Sequence, residues 1–298
     1  MTDYKIVIAI TSDYHCGGTT ALCPPTVTLD DGGTYRQSKL QGWLWVNFMA
    51  YWDMIDKLLD TPKERPQLFL VHLGDLIEGQ HHRNVQTWSP NINDHIRAAE
   101  QCLDEGYKRN PAYSFFVRGT AAHVGEAGQA EEALAKNFNA VQTDHGGWSW
   151  YHLQLDLMDV LSDYLHHGSG GQREWTKANA ALNQAADLSL NYAERGIVRA
   201  PDIAFRAHTH QKSDSFDNYR IRVVGIPSWQ LSTGYGYKIG RGKGLPVGSC
   251  ALLIGEEGYH VEKYIRWAPR VKAWTESQST KENTESTRKG FLDFLKRP

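Results

Sequence analysis

The feature that most constrains the fold of this chain is a set of short apolar runs, each followed almost at once by aspartate or histidine. The runs are rich in β-branched and aromatic residues, and runs of this kind predict buried strands. They lie at 5–10, 68–73, 113–117, 149–167 (two strands) and 203–206. The residues that follow them are, in chain order, Asp13 and His15, Asp75, His123, His166 and His167, and His208 and His210.

Helical segments separate these runs. Apolar residues recur at helical spacing from Ser38 to Leu59, and Pro62 follows. Further helices are predicted at 92–109, 129–138 and 173–195. The strands of 149–167 join near Met158 and Asp159, and three late runs predict a closing antiparallel set, at 219–226, 249–254 and 259–266. Alternating strands and helices are typical of an α/β protein.

Composition excludes several classes of protein. The 298 residues are 41% hydrophobic and 22% charged, which is ordinary for a globular protein. A net charge of −2 excludes a broad basic field for nucleic acid. The four cysteines form no dense framework, which indicates a reducing compartment. No apolar run is long enough to cross a membrane, and the start lacks a signal-peptide pattern, so we expect a cytoplasmic protein with no membrane partner.

The polar residues at the strand ends predict a metal site. In open α/β sheets the carboxyl ends of the strands face one crevice. Any one of these residues, taken alone, is more simply a turn aspartate or a buried structural histidine. Five such positions in succession indicate a shared ligand, and residues i and i+2 at a strand end project to one side. Imidazole and carboxylate without paired thiolates suit Mn, Fe, Zn or Ni better than calcium, and we expect Mn first.

The number of candidate ligands predicts two ions rather than one. About seven side chains exceed what one ion needs, and a carboxylate can bridge two ions. Asp75 stands alone between two ligand-rich segments, so it is the natural bridge. Two-metal centres hold their ions about 3.5–4 Å apart and lower the pKa of bound water. The expected cofactors are therefore two divalent transition-metal ions.

The ordered motifs resemble those of the calcineurin-like metallophosphoesterase superfamily. The chain reads D-x-H, G-D-x-x-E-G, G-T-x-x-H, H-H-G and H-x-H, and the resemblance covers about residues 5–210. The segments LCPPTVTLDDGGTY and RGTAAHVGEAGQAEEA look most similar to the metallophosphoesterases of phage and prophage genomes. The resemblance implies a four-layer α/β/β/α sandwich, with the metal site at the carboxyl ends of the strands.

The resemblance also implies roles for individual residues. Asp13, His15 and His210 would bind the first metal, and Asp75 would bridge. The second metal would take His208 and either His166 or His167. The family often has a His-x-Gly arrangement there, which favours His166. The neighbouring histidine would then support a ligand or contact the substrate.

The third motif departs from the family pattern. The family places an asparagine ligand directly before a catalytic histidine, whereas here Thr120 follows Gly119 and the histidine is His123. In one assignment His123 replaces the asparagine as a ligand of the second metal. In the other, Thr120 or water fills that place and His123 protonates the leaving oxygen. Both assignments stay open on the sequence.

Several further residues are candidates for substrate contacts. The loop after the Asp75 strand is expected to overhang the site and carries His81, His82 and Arg83, although a solvated loop is the alternative. Thr120 and Arg173 join this set. Glu78, Glu126 and Lys177 are weaker candidates, either for supporting the ligands or for touching the substrate.

The sequence thus predicts a phosphoesterase in a domain at 1–270, with a polar flexible tail at 271–298. Family analogy favours phosphodiesters, either DNA or RNA ends or a nucleotide. The alternatives are a phosphomonoesterase and a metal-stabilised scaffold without turnover. The apolar end of the tail is a candidate contact for an oligomer. If the protein is phage-encoded, its location would be the host-cell cytoplasm.

Overall fold

The structure is a computed structural model that describes residues 4–61, 64–81, 84–168, 177–196, 199–234 and 244–268. The predicted substrate contacts His82, Arg83 and Arg173 lie outside the described residues, as does the tail predicted at 271–298. Within the described residues the protein is a mixed α/β protein with two large sheets and a short hairpin.

The larger sheet combines four parallel strands with an antiparallel pair. Its parallel strands are β1 (Tyr4–Thr11), β4 (Gln67–Leu73), β5 (Tyr113–Val117) and β6 (Ser149–Trp150). The antiparallel pair is β12 (Pro246–Gly255) and β13 (Gly258–Trp267), and β12 joins the edge of β1. The strand order is β13-β12-β1-β4-β5-β6.

The second sheet has the order β10-β11-β9-β8-β7. Its strands are β7 (Leu153–Leu157), β8 (Val160–Leu165), β9 (Ile203–Arg206), β10 (Ser213–Asp214) and β11 (Arg222–Gly225). The hairpin pairs β2 (Thr26–Thr28) with β3 (Thr34–Arg36), and the sequence pattern does not predict it.

The placement of 219–226 in a closing antiparallel set is wrong. β12 and β13 form an antiparallel pair in the larger sheet, whereas β11 lies in the other sheet, parallel to β9 and antiparallel to β10. The physical reason is burial on both faces, since Val223 and Val224 are each 1% exposed. A short strand covered on both sides is typical of a parallel pairing inside a protein.

Five helices complete the described part of the chain. They are α1 (Lys39–Leu59), α2 (Ile92–Tyr107), α3 (Ala121–Val124), α4 (Gln129–Asn137) and α5 (Lys177–Glu194). Helix α1 begins at a capping box, in which Ser38 accepts from the Gln41 amide and the Gln41 side chain accepts from Ser38. The predicted helices are confirmed apart from their ends, and α3 was not predicted. No described helix is both long and apolar enough to cross a membrane.

Alternation along β1 divides the core into two parts. Val7 and Ala9 pack in a cluster with buried side chains of α1, α2 and α4. Ile6, Ile8 and Ile10 pack on the opposite face, in a cluster shared with β8 and β9. A third cluster joins α5 to the second sheet. The strands therefore present one face to helices and the other to the facing sheet, which brings the ends of β1, β4, β5, β8 and β9 together.

Candidate metal centre

The first donor group joins the loop after β1 to the loop after β9. Its members are Asp13, His15 and His210, whose ligand atoms all lie within 4.8 Å of one another. The Nε2 atoms of His15 and His210 are 3.1 Å apart, and Asp13 Oδ1 is 3.4 Å from His210 Nε2. Asp13 and His15 are buried. These three residues are the set predicted for the first metal.

The second donor group contains both members of the histidine pair. His166, His167 and His208 have ligand atoms within 4.8 Å of one another. The hydroxyl of Thr120 lies among them, 3.4 Å from Nε2 of His166, 3.4 Å from Nε2 of His167 and 3.1 Å from Nδ1 of His208. The geometry thus brings both paired histidines to this group and puts an oxygen donor, rather than His123, in their midst.

Asp75 lies between the two groups. It is grouped with Asp13 and His166 on one side, and with His15 and His123 on the other. Its Oδ2 atom is 3.0 Å from His166 Nε2. Thr120 donates to both Asp75 oxygens, from its amide at 2.6 Å and from its hydroxyl at 3.1 Å. Asp75 thus has neighbours in both donor groups, as its predicted bridging role would require.

The loops that carry these donors have an unusual backbone. Asp13, His15, Asp75, His208 and His210 all have positive φ, between 48° and 65°. Non-glycine residues adopt this conformation rarely, and such residues cluster at functional sites. Left-handed turns beyond the strands bring Asp13 and His15 together in the first group, whereas His208 and His210 lie in different groups. The expectation that both pairs project together as alternate residues of a strand is therefore wrong for His208 and His210.

Two glycines allow the loops to approach one another. A Cβ atom at Gly74 would stand 2.5 Å from His166 Nδ1, and Gly74 also has a φ of 83°. A Cβ atom at Gly119 would stand 2.2 Å from Asp75 Oδ1. Both distances are shorter than any van der Waals contact, so the chain needs glycine at both positions if Asp75 and His166 are to meet.

The charge balance of the buried donors fits a cation. Burial by itself raises the pKa of Asp13, but hydrogen bonding to His15 and His210 and the charges of His210 and His166 hold that pKa well below its usual range. Burial lowers the pKa of His166, and the charge and hydrogen bond of Asp75 outweigh it and raise that pKa to about 9. The proton on His166 thus balances the negative charge of Asp75, and a bound divalent ion can balance that charge in its place.

The buried polar atoms of the donor groups fit a metal ion. Asp13 Oδ1 is buried and makes no hydrogen bond of regular geometry within the described residues, where ring nitrogens of His210 and His15 lie 3.4 Å and 3.8 Å away. A buried carboxylate oxygen without a donor is costly unless a cation meets it. His166 donates from Nδ1 to the carbonyl of Leu73 at 2.7 Å, which is the arrangement that orients a metal-binding imidazole. The donor set of imidazoles and carboxylates suits a transition-metal ion.

His123 stands beside the first donor group. Its Nδ1 donates to the carbonyl of Glu78 at 2.7 Å, and its ring centroid is 4.5 Å from that of His15. Burial and the charge of His15 lower the pKa of His123 to about 4. The ring is therefore neutral at pH 7 and offers Nε2 as an acceptor, either for an ion or for a proton.

Glu78 supports this side of the site. Its Oε1 atom is 3.0 Å from His81 Nε2 and accepts from Asn84 at 2.5 Å. Its Oε2 atom accepts from Gln230 at 3.0 Å and lies 3.1 Å from His15 Nδ1. His81, predicted as a substrate contact, pairs with Glu78 and packs edge-on against His123, and its role towards a substrate stays a prediction.

Glu131 is a part of the site that the sequence does not mark. This residue of α4 is fully buried and accepts from the amide of Gly119 at 2.6 Å. Burial and the charge of Asp75 raise the pKa of Glu131 to about 8. Glu131 thus fixes the loop after β5, whose Thr120 hydrogen-bonds to Asp75. In the sequence, Glu131 lies in an ordinary helical pattern and no motif surrounds it.

Two weaker candidates belong to none of the donor groups found among the described residues. Glu126 is exposed, and the structure describes no side chain for Lys177. Cys16 and Cys23 are buried free thiols, and Cys16 Sγ lies 3.8 Å from Cys102 Sγ. The donor groups of the described residues therefore consist of histidines and carboxylates.

Comparison with known proteins adds little to this geometry. No family model matches the chain, and no curated protein matches it. Among solved structures, the crystal structure of a dimetal phosphatase from Danio rerio is similar over 88% of this chain and 100% of that chain, with 9% identity and a TM-score of 0.36. A similarity this distant carries no weight for the fold or the function.

Proposed function

We propose that the protein is a metal-dependent phosphoesterase that uses two divalent transition-metal ions. The observation that carries the proposal is the position of Asp75 between two donor groups, one of Asp13, His15 and His210 and one of His166, His167 and His208. The motif order that resembles calcineurin-like metallophosphoesterases supports it, as do the two packed sheets that a four-layer sandwich requires.

The chain would contribute binding, orientation and proton handling. When bound, two divalent ions supply an acidic water and neutralise charge on the phosphoryl oxygens. Asp75 and the histidines hold the donor geometry, and Thr120 fixes Asp75 through two hydrogen bonds. His123 presents Nε2 beside Asp75, either as a further ligand or to carry a proton at the leaving oxygen. Manganese is the metal that we propose to test first.

A phosphodiester fits the charges better than a phosphomonoester. Within the described part of the chain, no lysine or arginine forms an ion pair with Asp13, Asp75 or Glu78. A diester carries one negative charge, whereas a monoester carries nearly two at neutral pH. The described residues thus give no fixed cation to balance a second negative charge, which supports the diester, and the predicted contacts Arg83 and Arg173 lie outside the described residues. Nucleotides and nucleic-acid ends, the cytoplasm and a phage origin stay predictions.

The test combines metal content with two chromogenic esters. Protein reconstituted with manganese should hold two ions per chain and hydrolyse bis-p-nitrophenyl phosphate faster than p-nitrophenyl phosphate. A chelator should abolish both rates, and added manganese should restore them. Faster hydrolysis of the monoester would reassign the protein as a phosphatase. Two bound ions with no turnover of either ester would favour the alternative of a metal-stabilised scaffold without activity. One bound ion or none would overturn the proposal of a two-metal centre.

A further inference from the structure

A cavity of about 700 Å³ opens beside the metal centre. Its walls come from the segment after β4, the first turns of α2, and α3 with the start of α4. The apolar part of the wall is made by Ile77, Ile92, Ile96, Val124 and Ala130. Cavities of roughly 300–1,000 Å³ with mainly apolar walls are typical of small-molecule sites.

The cavity and the metal centre share His123 and His81. His123 lines the cavity and is also grouped with His15 and Asp75 through ligand atoms within 4.8 Å. His81 lines the cavity and pairs with Glu78, which in turn faces His15. If the phosphate of a substrate lies at the metal-ligand atoms, a substituent bonded to that phosphate would therefore reach the cavity by passing the His123 ring.

The described polar residues of the wall offer no fixed cation to an anionic occupant. The described wall contains no lysine or arginine, and Glu126 adds a carboxylate. The amides of Gln80 and Gln129 are neutral donors and acceptors. A polynucleotide would carry further phosphates into this space without cations to meet them, and contacts with phosphate dominate nucleic-acid affinity. The cavity suits an uncharged group with an apolar body and one or two polar atoms.

We propose that this cavity binds the leaving group of the substrate, an uncharged alcohol with an aromatic or bulky apolar body. The inference rests on the proposed phosphodiester hydrolysis and names its substrate class. Water adds its oxygen to phosphorus, the bond from phosphorus to the alcohol oxygen breaks, and a water proton ends on the released alcohol. The products are the alcohol and a phosphomonoester, which keeps the other substituent outside the cavity.

A mixed diester tests the proposal by internal competition. Methyl phenethyl phosphate carries two primary alkoxide leaving groups of similar basicity, one small and one with an apolar body. We expect the manganese enzyme to release phenethyl alcohol over methanol by about tenfold or more, because apolar contacts of this size discriminate at that level. Proton NMR of the products gives the ratio. Equal release of both alcohols, or more methanol, would overturn the proposal.

Two matched variants locate the effect. Ala122 is an exposed residue of α3 on the cavity wall, and Ala133 is an exposed residue of α4 outside it. Ala122→Phe should narrow the cavity and reduce the product ratio at least threefold, whereas Ala133→Phe should leave the ratio unchanged. Metal content checks that both variants fold. An unchanged ratio in a folded Ala122→Phe protein would contradict the assignment of the cavity.

A binding measurement separates this proposal from the proposed function. Phenethyl alcohol alone should show saturation-transfer NMR signals with the wild-type protein and with Ala133→Phe, and weaker signals with Ala122→Phe. If manganese supports no hydrolysis but this binding pattern holds, the phosphoesterase proposal fails and the cavity remains a site for apolar alcohols. If hydrolysis occurs but no binding is seen and no product preference follows, the cavity proposal fails alone.

Discussion

Asp75 is the residue whose change should disturb both donor groups at once. Asp75→Asn removes the negative charge between them while keeping the shape of the side chain. We therefore expect metal content to fall at both positions and turnover to fall with it. His15→Ala touches only the first group, so it should spare one ion per chain. Elemental analysis of both variants after manganese reconstitution makes the comparison. Equal, small losses from the two changes would show that Asp75 does not bridge.

His123 has two possible roles that one variant can separate. If the ring binds an ion, His123→Ala should lower metal content, and excess manganese should restore part of the rate. If it carries a proton at the leaving oxygen, metal content should stay near wild type while kcat falls by about 10²–10⁴ on substrates with poor leaving groups. The loss should then shrink for p-nitrophenyl esters. Full metal content with undiminished turnover of an alkyl ester would exclude both roles.

The loops beyond the strands carry the site, and Gly119 is where the loop after β5 lies against Asp75. A methyl group there would meet Asp75 Oδ1 at 2.2 Å, so Gly119→Ala must displace either the loop or the carboxylate. We expect weaker metal binding, measured by titration with manganese. Gly244→Ala is the matched control, since a Cβ atom there has no neighbour within 4 Å. If both variants bind manganese like the wild type, the close approach of these loops is not needed.

At the ends of β8 and β9 an ion pair is buried beneath the donor loops. Asp163 Oδ1 lies 2.7 Å from Arg206 Nη1, and the two side chains are 4% and 5% exposed. Removing one partner of a buried pair costs about 3–5 kcal/mol, because the other charge is left without compensation. We expect Asp163→Asn to lower the free energy of unfolding in urea by about that amount. Asp156→Asn breaks the exposed pair with Arg199 and should cost about 0–1 kcal/mol.

The same pair predicts a pH dependence. Burial raises the pKa of Asp163, but His152, Arg206 and Gln154 outweigh it and lower that pKa from 3.8 to about 2. A carboxyl whose pKa is lower in the folded state stabilises the fold above the unfolded pKa, and this stability is lost as pH falls through the folded pKa. The stability gap between wild type and Asp163→Asn should thus be constant above about pH 4 and shrink towards pH 2. A gap that grows on acidification would contradict this.

Across the whole molecule, the sequence predicted what depends on local pattern. The strands at 5–10, 68–73, 113–117 and 203–206 are present because apolar β-rich runs must be buried, and the residues after them meet because parallel strands share an end. Other features depend on packing between distant segments of the chain. They are the sheet that β11 joins, the left-handed backbone at His208, the position of Thr120 among the histidines and the burial of Glu131. No local pattern encodes these features, so they required the structure.

The candidate donor groups join the two sheets, and this predicts that a bound metal ion stabilises the whole fold. The His208 amide donates to Asp13 Oδ2 at 3.3 Å, and His166 donates to the carbonyl of Leu73, so donors from β8 and β9 meet those from β1 and β4. An ion bound only by the folded chain adds about 2.7 kcal/mol at a free concentration 100 times its Kd. We therefore expect manganese to raise the Tm of the wild-type protein by several degrees. Calcium should raise the wild-type Tm much less, and manganese should raise the Tm of the Asp75→Asn variant much less. An unchanged Tm at saturating manganese would show that the donors do not bind an ion shared between the sheets.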